Sequence, residues 1–335
     1  MAIIFSKGSG LNDDMWKDTG TAVTSWLSDV DKESSQDDEL VKALFSVEKS
    51  SKALEKSGGY TSFGDFLPVA EGGNAPLDEI QEGFTKMIEH TPFLKKFVIT
   101  KEMNDDNRVT DMKSASRGFI TAYKRSRAKF ATACLTNGID TSFKYGGKTF
   151  DCTTGDGKAL FAADHPGIKS GVGLQSNIFT NALGTDASTL YLLANMGRNF
   201  RNDSGEKCNY TYDIVYLPSN RPAMIDLVER IIHSTQIVGS GNNDINTQKN
   251  KWKLVVVDYW DAPNGKNPFI LGSSKFQKDF APSVFFDRVP LTMRDNINND
   301  NFNLEFSSYC RWSAGHRDWR HLIYGGADAG STATA

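Results

Sequence analysis

This sequence has little excess charge, no long apolar run and few cysteines. Its 335 residues carry 38 Lys and Arg against 41 Asp and Glu, a net charge of −3. A general nucleic-acid binder needs a basic excess to displace phosphate counterions, so that class is not expected. No segment approaches the roughly 20 consecutive apolar residues of a membrane span. Lys7, Asp13 and Asp14 cut short the apolar opening Met-Ala-Ile-Ile-Phe, well below a secretory core. Synthesis and residence in the cytoplasm are the expectation, with no membrane partner. Cys134, Cys152, Cys208 and Cys310 lie far apart and form no C-x-x-C pair. Neither a zinc ribbon nor a redox dithiol is signalled, and free thiols in a reducing compartment are expected.

Local catalytic motifs are missing too. Lys144-Tyr-Gly-Gly-Lys148-Thr149 ends like a phosphate-binding loop, but Ser142 stands where the first glycine belongs and no apolar strand precedes it. It reads as a turn between two short strands. Gly171-Val-Gly173 lacks the third glycine and the helix of a dinucleotide fingerprint. His90, His165, His233, His316 and His321 show no i, i+4 pairing and no H-E-x-x-H frame, and His165, before Pro166, reads as a turn residue. Asp105-Asp106 and Asp37-Asp38 read as a helix cap and part of a polar arm, and no G-x-S-x-G elbow occurs. No catalytic, cofactor-binding or metal-ligating residue is therefore assigned, no cofactor is expected, and the chain is not read as an enzyme. Triads assembled from distant positions leave no local trace, so this absence is weak support.

What is present is an ordered series of elements. With 39% hydrophobic and 24% charged residues the composition is that of an ordinary globular protein, and the length fits one large α+β unit or two connected lobes. Residues 6–59 are polar, with the run Ser-Ser-Gln-Asp-Asp-Glu at 34–39 and short helical stripes such as Leu40, Leu44 and Val47. They predict an arm that orders on a partner. Extended pieces at 63–69 and 80–103 flank a Gly-rich tip and suggest a projecting hairpin, with 81–90 open to a helical alternative. Asp105-Asp106-Asn107 caps, and Asn137-Gly138 stops, a helix of about 28 residues and roughly 40 Å. Its apolar positions are Val109, Met112, Phe119, Ile120, Tyr123, Phe130 and Cys134. Arg117, Lys124, Arg125, Arg127 and Lys129 crowd its C-terminal half, complementing the dipole and suited to interlocking with carboxylates of neighbouring elements or subunits.

Residues 139–181 read as loop with short strands. A helix at 186–200, with Leu190, Leu193 and Gly197 on one stripe, precedes a strand at 213–218. A second helix, capped by Ser219, carries Met224, Leu227, Val228 and Ile231. Strands at 253–260 and 268–272 complete an α/β lobe. Runs at 284–294 and 302–312 read as an antiparallel hairpin, followed by a last strand at 319–324 and a Gly/Ala/Ser/Thr tail.

Four motifs in this order carry a resemblance: Thr100-Lys-Glu-Met103-Asn-Asp-Asp106 leading into the long helix; Gly157-Lys-Ala-Leu-Phe161 with Asp164-His-Pro166; Ile214-Val-Tyr-Leu-Pro218 before a helix; and Asp318-Trp319-Arg320. Over residues 97–324 the chain resembles the major capsid proteins of tailed bacteriophages with the Hong Kong 97-type fold, and more narrowly the major head subunit family typified by phage Mu. The resemblance implies an α+β fold with an N-terminal arm at 1–59 and an extended loop, a β-hairpin, at 60–104. It implies a peripheral domain from 105–182 and 283–325 with a spine helix at 105–137, an axial domain at 183–282 and a flexible tail at 326–335. It implies self-assembly through hexamers and pentamers into an icosahedral head around double-stranded DNA. Portal, scaffold or decoration proteins would be partners, the packaged DNA would be met by non-specific proximity, and the virion, built in the bacterial host cytoplasm, would be the location. Some relatives join a loop lysine to a neighbour's asparagine; Lys86, Lys95 and Lys96 are available, but no flanking pattern selects one and no crosslink is predicted. The competing expectations are an encapsulin-like cargo shell of the same fold and a cytoplasmic α/β enzyme with a dispersed active site in the 190–271 lobe.

Overall fold

A computed structural model of the chain describes residues 4–6, 13–60, 65, 66, 68–74, 77, 82–169, 171–184, 187–237 and 244–327. In chain order the elements are β1 (Ile4–Ser6), α1 (Asp13–Lys32), α2 (Gln36–Leu44), β2 (Ser46–Lys49), β3 (Leu54–Tyr60), β4 (Glu82–Glu89), β5 (Thr91–Ile99), α3 (Lys101–Asp105) and α4 (Val109–Thr136). There follow β6 (Ser142–Tyr145), β7 (Lys148–Asp151), α5 (Ser188–Arg198), β8 (Ile214–Pro218), α6 (Pro222–His233), β9 (Lys253–Val257), β10 (Phe269–Gly272), α7 (Ser274–Phe280), β11 (Ser283–Ile297), β12 (Leu304–His316) and β13 (Leu322–Gly325). They fall into two compact units, each gathered from three stretches: Met1–Glu55, Ile88–Ala131 and Phe285–Ala314 in the first, Lys56–Met87, Thr132–Val284 and Gly315–Ala335 in the second.

The first unit is built on a sheet of order β1-β11-β12-β5, with β2 also paired to β11. β1 runs parallel to β11, and β5 is antiparallel to β12 from Ile99 opposite Leu304 to Thr91 opposite Trp312. The expected hairpin of residues 284–312 is present as β11 and β12. Phe93 stacks on Trp312 with ring centroids 3.9 Å apart, and Phe97 stacks on Phe306 at 4.9 Å. Such pairs add to the burial of their area. The long helix has the expected length, 28 residues, but begins later than its capping run suggested. Thr100 caps α3 by accepting from the Met103 amide, and Asn107, at φ 50°, takes the left-handed turn that separates α3 from α4. Asparagine tolerates that conformation because its short polar side chain bonds locally.

The polar stretch expected to lack a buried surface has one. α1 buries Val23 and Leu27, while α2 buries Leu40, Val41 and Leu44, followed by Phe45. Ser35 caps α2 by accepting from the Asp38 amide, and Asp37, Asp38 and Glu39 sit at the positive end of its dipole. Average polarity concealed these helices, because an apolar stripe one residue wide at i, i+4 leaves the other positions free to be charged.

The second unit centres on a sheet of order β13-β10-β8-β9. β8 and β9 are parallel; β10 is antiparallel to β8 and to β13. β10 and β13 are buried along their whole length, as strands covered on both faces must be. α5 buries Leu190, Leu193 and Gly197, the stripe expected from sequence, and α6 buries Met224, Val228, Ile231 and Ile232. Gly197 is required by close approach: a Cβ there would lie 2.2 Å from the Tyr212 ring and 2.6 Å from Ile323.

Three expectations are corrected in this unit. Ser219 does not cap α6: its hydroxyl donates to the Asp258 carbonyl at 3.0 Å, and Arg221 precedes the helix, which opens with Pro222. The last strand, β13, pairs with β10 of the 183–282 segment and not with the returning hairpin. Residues 82–89 are strand, which settles the helical alternative in favour of the extended reading, but β4 pairs with β3, so the ribbon starts at Leu54, ahead of residue 60. Of the extended piece expected at 63–69, residues 63, 64 and 67 lie outside the described residues, and 65, 66, 68 and 69 are not in a strand. The phosphate-loop look-alike is the expected turn: β6 and β7 form a hairpin around Gly146 and Gly147, both at positive φ, as a two-residue type I′ turn demands.

Candidate functional site

Two members of the basic face of α4, Lys124 and Arg127, are buried inside the first unit, while Arg117, Arg125 and Lys129 stay exposed. Lys124 donates to the carbonyl oxygens of Val30, Asp31 and Glu33 at 3.4, 3.2 and 2.5 Å, closing the C-terminal end of α1, and pairs with Asp38 at 3.2 Å. Arg127 grips both carboxylate oxygens of Asp287, at 2.9 and 2.7 Å. Burial works against the Arg127 charge, yet Tyr123, Asp287 and Asp38 outweigh it and hold the guanidinium above its ordinary value. The expected interlocking of helix cations with neighbouring carboxylates is thus met within the chain, leaving the buried members of this face unavailable to phosphate. α4 has no basic residue in its last turn, so the expected support of its own dipole is not what they provide.

Exposed apolar side chains lie elsewhere. On β5, alternation sends Phe93 and Phe97 inward and Leu94, 73% exposed, and Val98 outward. Tyr309, opposite Leu94 on β12, is also exposed. β5 ends the path of its sheet, and such an edge is a template for pairing unless blunted; Pro92, Lys95 and Lys96 blunt it, with Lys96 paired to Glu305. In the second unit the outer face of α5 carries Tyr191, Leu192 and Met196, opposite its buried stripe, and the connection after β3 holds the exposed Phe66 and Leu77.

Four of the five histidines, His90, His165, His316 and His321, are buried, and His165 is a core residue and not the expected turn residue. His165 is fully buried, bonded through Nδ1 to Asp156 at 2.6 Å and through Nε2 to the Asn177 side-chain oxygen at 3.2 Å, and it stacks on Trp319 at 4.3 Å. Burial would raise the Asp156 carboxyl, but hydrogen bonds from His165 and Thr154 hold it below its ordinary value. Arg320 bonds Asp318 and Asp203 at 2.9 and 2.6 Å. The motifs at 164–166 and 318–320, separate in sequence, therefore meet in one polar cluster. His90 links the Ser50 and Ser313 hydroxyls at 2.9 Å each, and His233 is exposed. Of the three loop lysines, Lys86 is buried on Asp151 at 2.5 Å and Thr153 at 2.7 Å, whereas Lys95 is exposed.

Sequence reasoning missed one group altogether. Cys134, Cys152 and His316 place their ligand atoms within 4.8 Å of one another, all buried. Burial pushes His316 down to about 3 and the nearby His321 down to about 4; the hydrogen bond with Cys152 and burial raise the Cys134 thiol. Spacing rules could not find it, since Cys134 and His316 are 182 residues apart.

No family model matches the sequence, and no curated protein does. Solved structures do. A protein of Mycobacterium phage Patience is similar with a TM-score of 0.53 at 11% identity, over 98% of this chain and 94% of that one. The capsid of a native GTA particle, computed with C5 symmetry, gives 0.51 at 10% identity over 88% and 91%. The capsid of Myoviridae phage XM1 gives 0.50 at 11% identity over 85% and 90%. The fold is therefore the expected one, an α+β capsid fold of the Hong Kong 97 type.

Proposed function

We propose that this chain is the major capsid protein of a tailed bacteriophage, a structural subunit that builds the icosahedral head and performs no catalysis. The observation that carries the reading is a fold shared with solved phage and capsid structures along most of the chain, over 98% of it for the Mycobacterium phage Patience protein and 88% for the GTA capsid. Identity of 11% supports the fold and leaves function to be argued from the molecule. The molecule argues the same way. Leu94, Val98 and Tyr309 on one sheet face and Tyr191, Leu192 and Met196 on one helix face remain exposed, and repeated modest contacts of this kind add through avidity in a closed shell.

On this reading the residues before Leu54 act as the arm, and the ribbon that begins at Leu54 belongs to the extended loop, which runs to residue 104. The peripheral domain comes from 105–182 and the returning hairpin, and the axial domain is 183–282 joined by β13. Copies of the chain in hexamers and pentamers are the partners, with portal and scaffold or decoration proteins, inside a head that encloses double-stranded DNA. Electron microscopy of the purified, expressed chain tests it: closed icosahedral particles or hexameric sheets are expected. A monodisperse small oligomer under all assembly conditions would sink the proposal, and shells that load host protein in place of DNA would redirect it to a cargo compartment.

A further inference from the structure

The Cys134, Cys152 and His316 cluster brings together three parts of the second unit: the end of α4, the residue after β7 and the end of β12. Exposure is 0% for Cys134, 1% for Cys152 and 0% for His316. Cys134 Sγ lies 3.5 Å from His316 Nε2. A tetrahedral zinc with bonds of about 2.3 Å to sulfur and about 2.05 Å to nitrogen sets those two atoms roughly 3.6 Å apart. The cluster already has the spacing of one tetrahedral edge.

Two surrounding features suit a cation. The Cys134 carbonyl oxygen lies in the last turn of α4, where helix carbonyls lose their intrahelical partners and carry partial negative charge. It is 2.9 Å from Cys152 Sγ and 3.4 Å from His316 Nε2, which places an oxygen beside the cluster as a fourth donor. On the far side of the imidazole, Nδ1 is 2.7 Å from the Ser283 hydroxyl, which is also 2.6 Å from His321 Nε2. A proton on Nδ1, donated to Ser283, leaves the Nε2 lone pair facing the two sulfurs. Metal-binding histidines are generally oriented by such a partner on the other ring nitrogen.

We propose that Cys134 Sγ, Cys152 Sγ and His316 Nε2 form a structural site for a thiophilic d10 cation, zinc(II) foremost, with the Cys134 carbonyl oxygen at the fourth corner. Binding replaces two thiol protons: two R–SH and Zn²⁺ give Zn(SR)₂ and two H⁺, with no change of oxidation state. Two thiolates, a neutral imidazole and a divalent cation sum to zero charge, so the site avoids the large cost of burying a net ion. The soft ligands select zinc or copper(I) over magnesium or calcium. The cation would tie α4 to β12 and to the strand pair β6–β7, none of which a spacing motif connects. This reading stands independently of the capsid proposal.

The full-length chain, reduced and handled without oxygen, is incubated with zinc(II), passed through a desalting column and assayed for metal. One zinc per chain is expected, and cobalt(II) in its place should give a thiolate-to-metal charge-transfer absorption. Cys152→Ser should abolish the cobalt band while Cys208→Ser keeps it, and Ser283→Ala should weaken zinc about 10- to 100-fold by releasing the imidazole. Circular dichroism establishes which variants are folded. Absence of the cobalt band in the folded wild-type chain overturns the site without needing any variant. Zinc retained equally by folded Cys152→Ser, or a Cys134–Cys152 disulfide in the reduced chain, overturns it as well.

Discussion

At the scale of single residues, buried charge and close packing set the largest effects. Arg127 and Asp287 share two hydrogen bonds away from solvent, so truncating one partner strands the other. Asp287→Ala is expected to destabilise the chain by about 3–5 kcal/mol in chemical denaturation, whereas an exposed pair such as Arg230–Asp226 should cost about 1 kcal/mol or less. Gly197→Ala pushes a methyl into Tyr212 and Ile323 and should cost about 1–3 kcal/mol, read as a fall in the denaturation midpoint. His321 gives a pH dependence. Its folded value, about 4, lies below the ordinary 6.5, so the unfolded chain takes up the proton first. Its contribution is complete above pH 6.5 and is lost as pH falls toward 4, to a limit of roughly 3 kcal/mol. His90 is lowered by burial, with Arg311 and Arg288 acting in the same direction, and shifts stability with the same sign. Thermal melts between pH 7 and 4 should show a steep decline; a flat profile would show that the histidines are not held neutral.

At the scale of elements, α4 has two tasks along one rod. Its middle receives the C-terminal carbonyls of α1 through Lys124 and the carboxylate of Asp287 through Arg127; its last turn supplies Cys134. Lys124→Met keeps much of the side-chain volume and removes the charge that closes α1. Hydrogen exchange in α1 should accelerate at least tenfold, with little change in α5 or α6, because local opening costs less where a helix end is left uncapped. The long helix, the α5 stripe and the I′ hairpin were legible in sequence, since each is a local pattern: helical period, a glycine at a contact, two glycines in a two-residue turn. Helix α2 was legible only as the short stripe of Leu40 and Leu44, and α1 was not read at all, because a narrow contact face leaves most positions polar. The placement of β13 was not legible, since strand partners are chosen by shared burial across distant stretches and leave no mark in local spacing.

At the scale of the whole molecule, each compact unit draws on three separate stretches of chain. Exposed apolar residues on β5, β12 and α5 add nothing to folding, so they can be changed without unfolding it. Leu94→Lys and Leu192→Lys are expected to shift stability by no more than about 0.5 kcal/mol, while lowering the yield of assembled particles in sedimentation. Assembly unaffected by both substitutions would place the subunit contacts elsewhere. Deleting residues 1–59 is a harsher change than a free arm would make it, because Val23, Leu27, Leu40, Val41, Leu44 and Phe45 leave the core with it.

The sequence by itself determined the α+β class, the long helix, the order of elements and the lack of a spaced catalytic motif. These depend on periodicity and on turn chemistry within a few residues. Only the tertiary structure decided that Lys124 and Arg127 of the long helix are spent on internal carbonyls and carboxylates, that His165 is a buried partner of Asp156 and Trp319, and that two scattered thiols meet an imidazole. Those outcomes depend on which distant side chains are brought into the same dry space, where an unpaired polar group is too costly to leave unmatched.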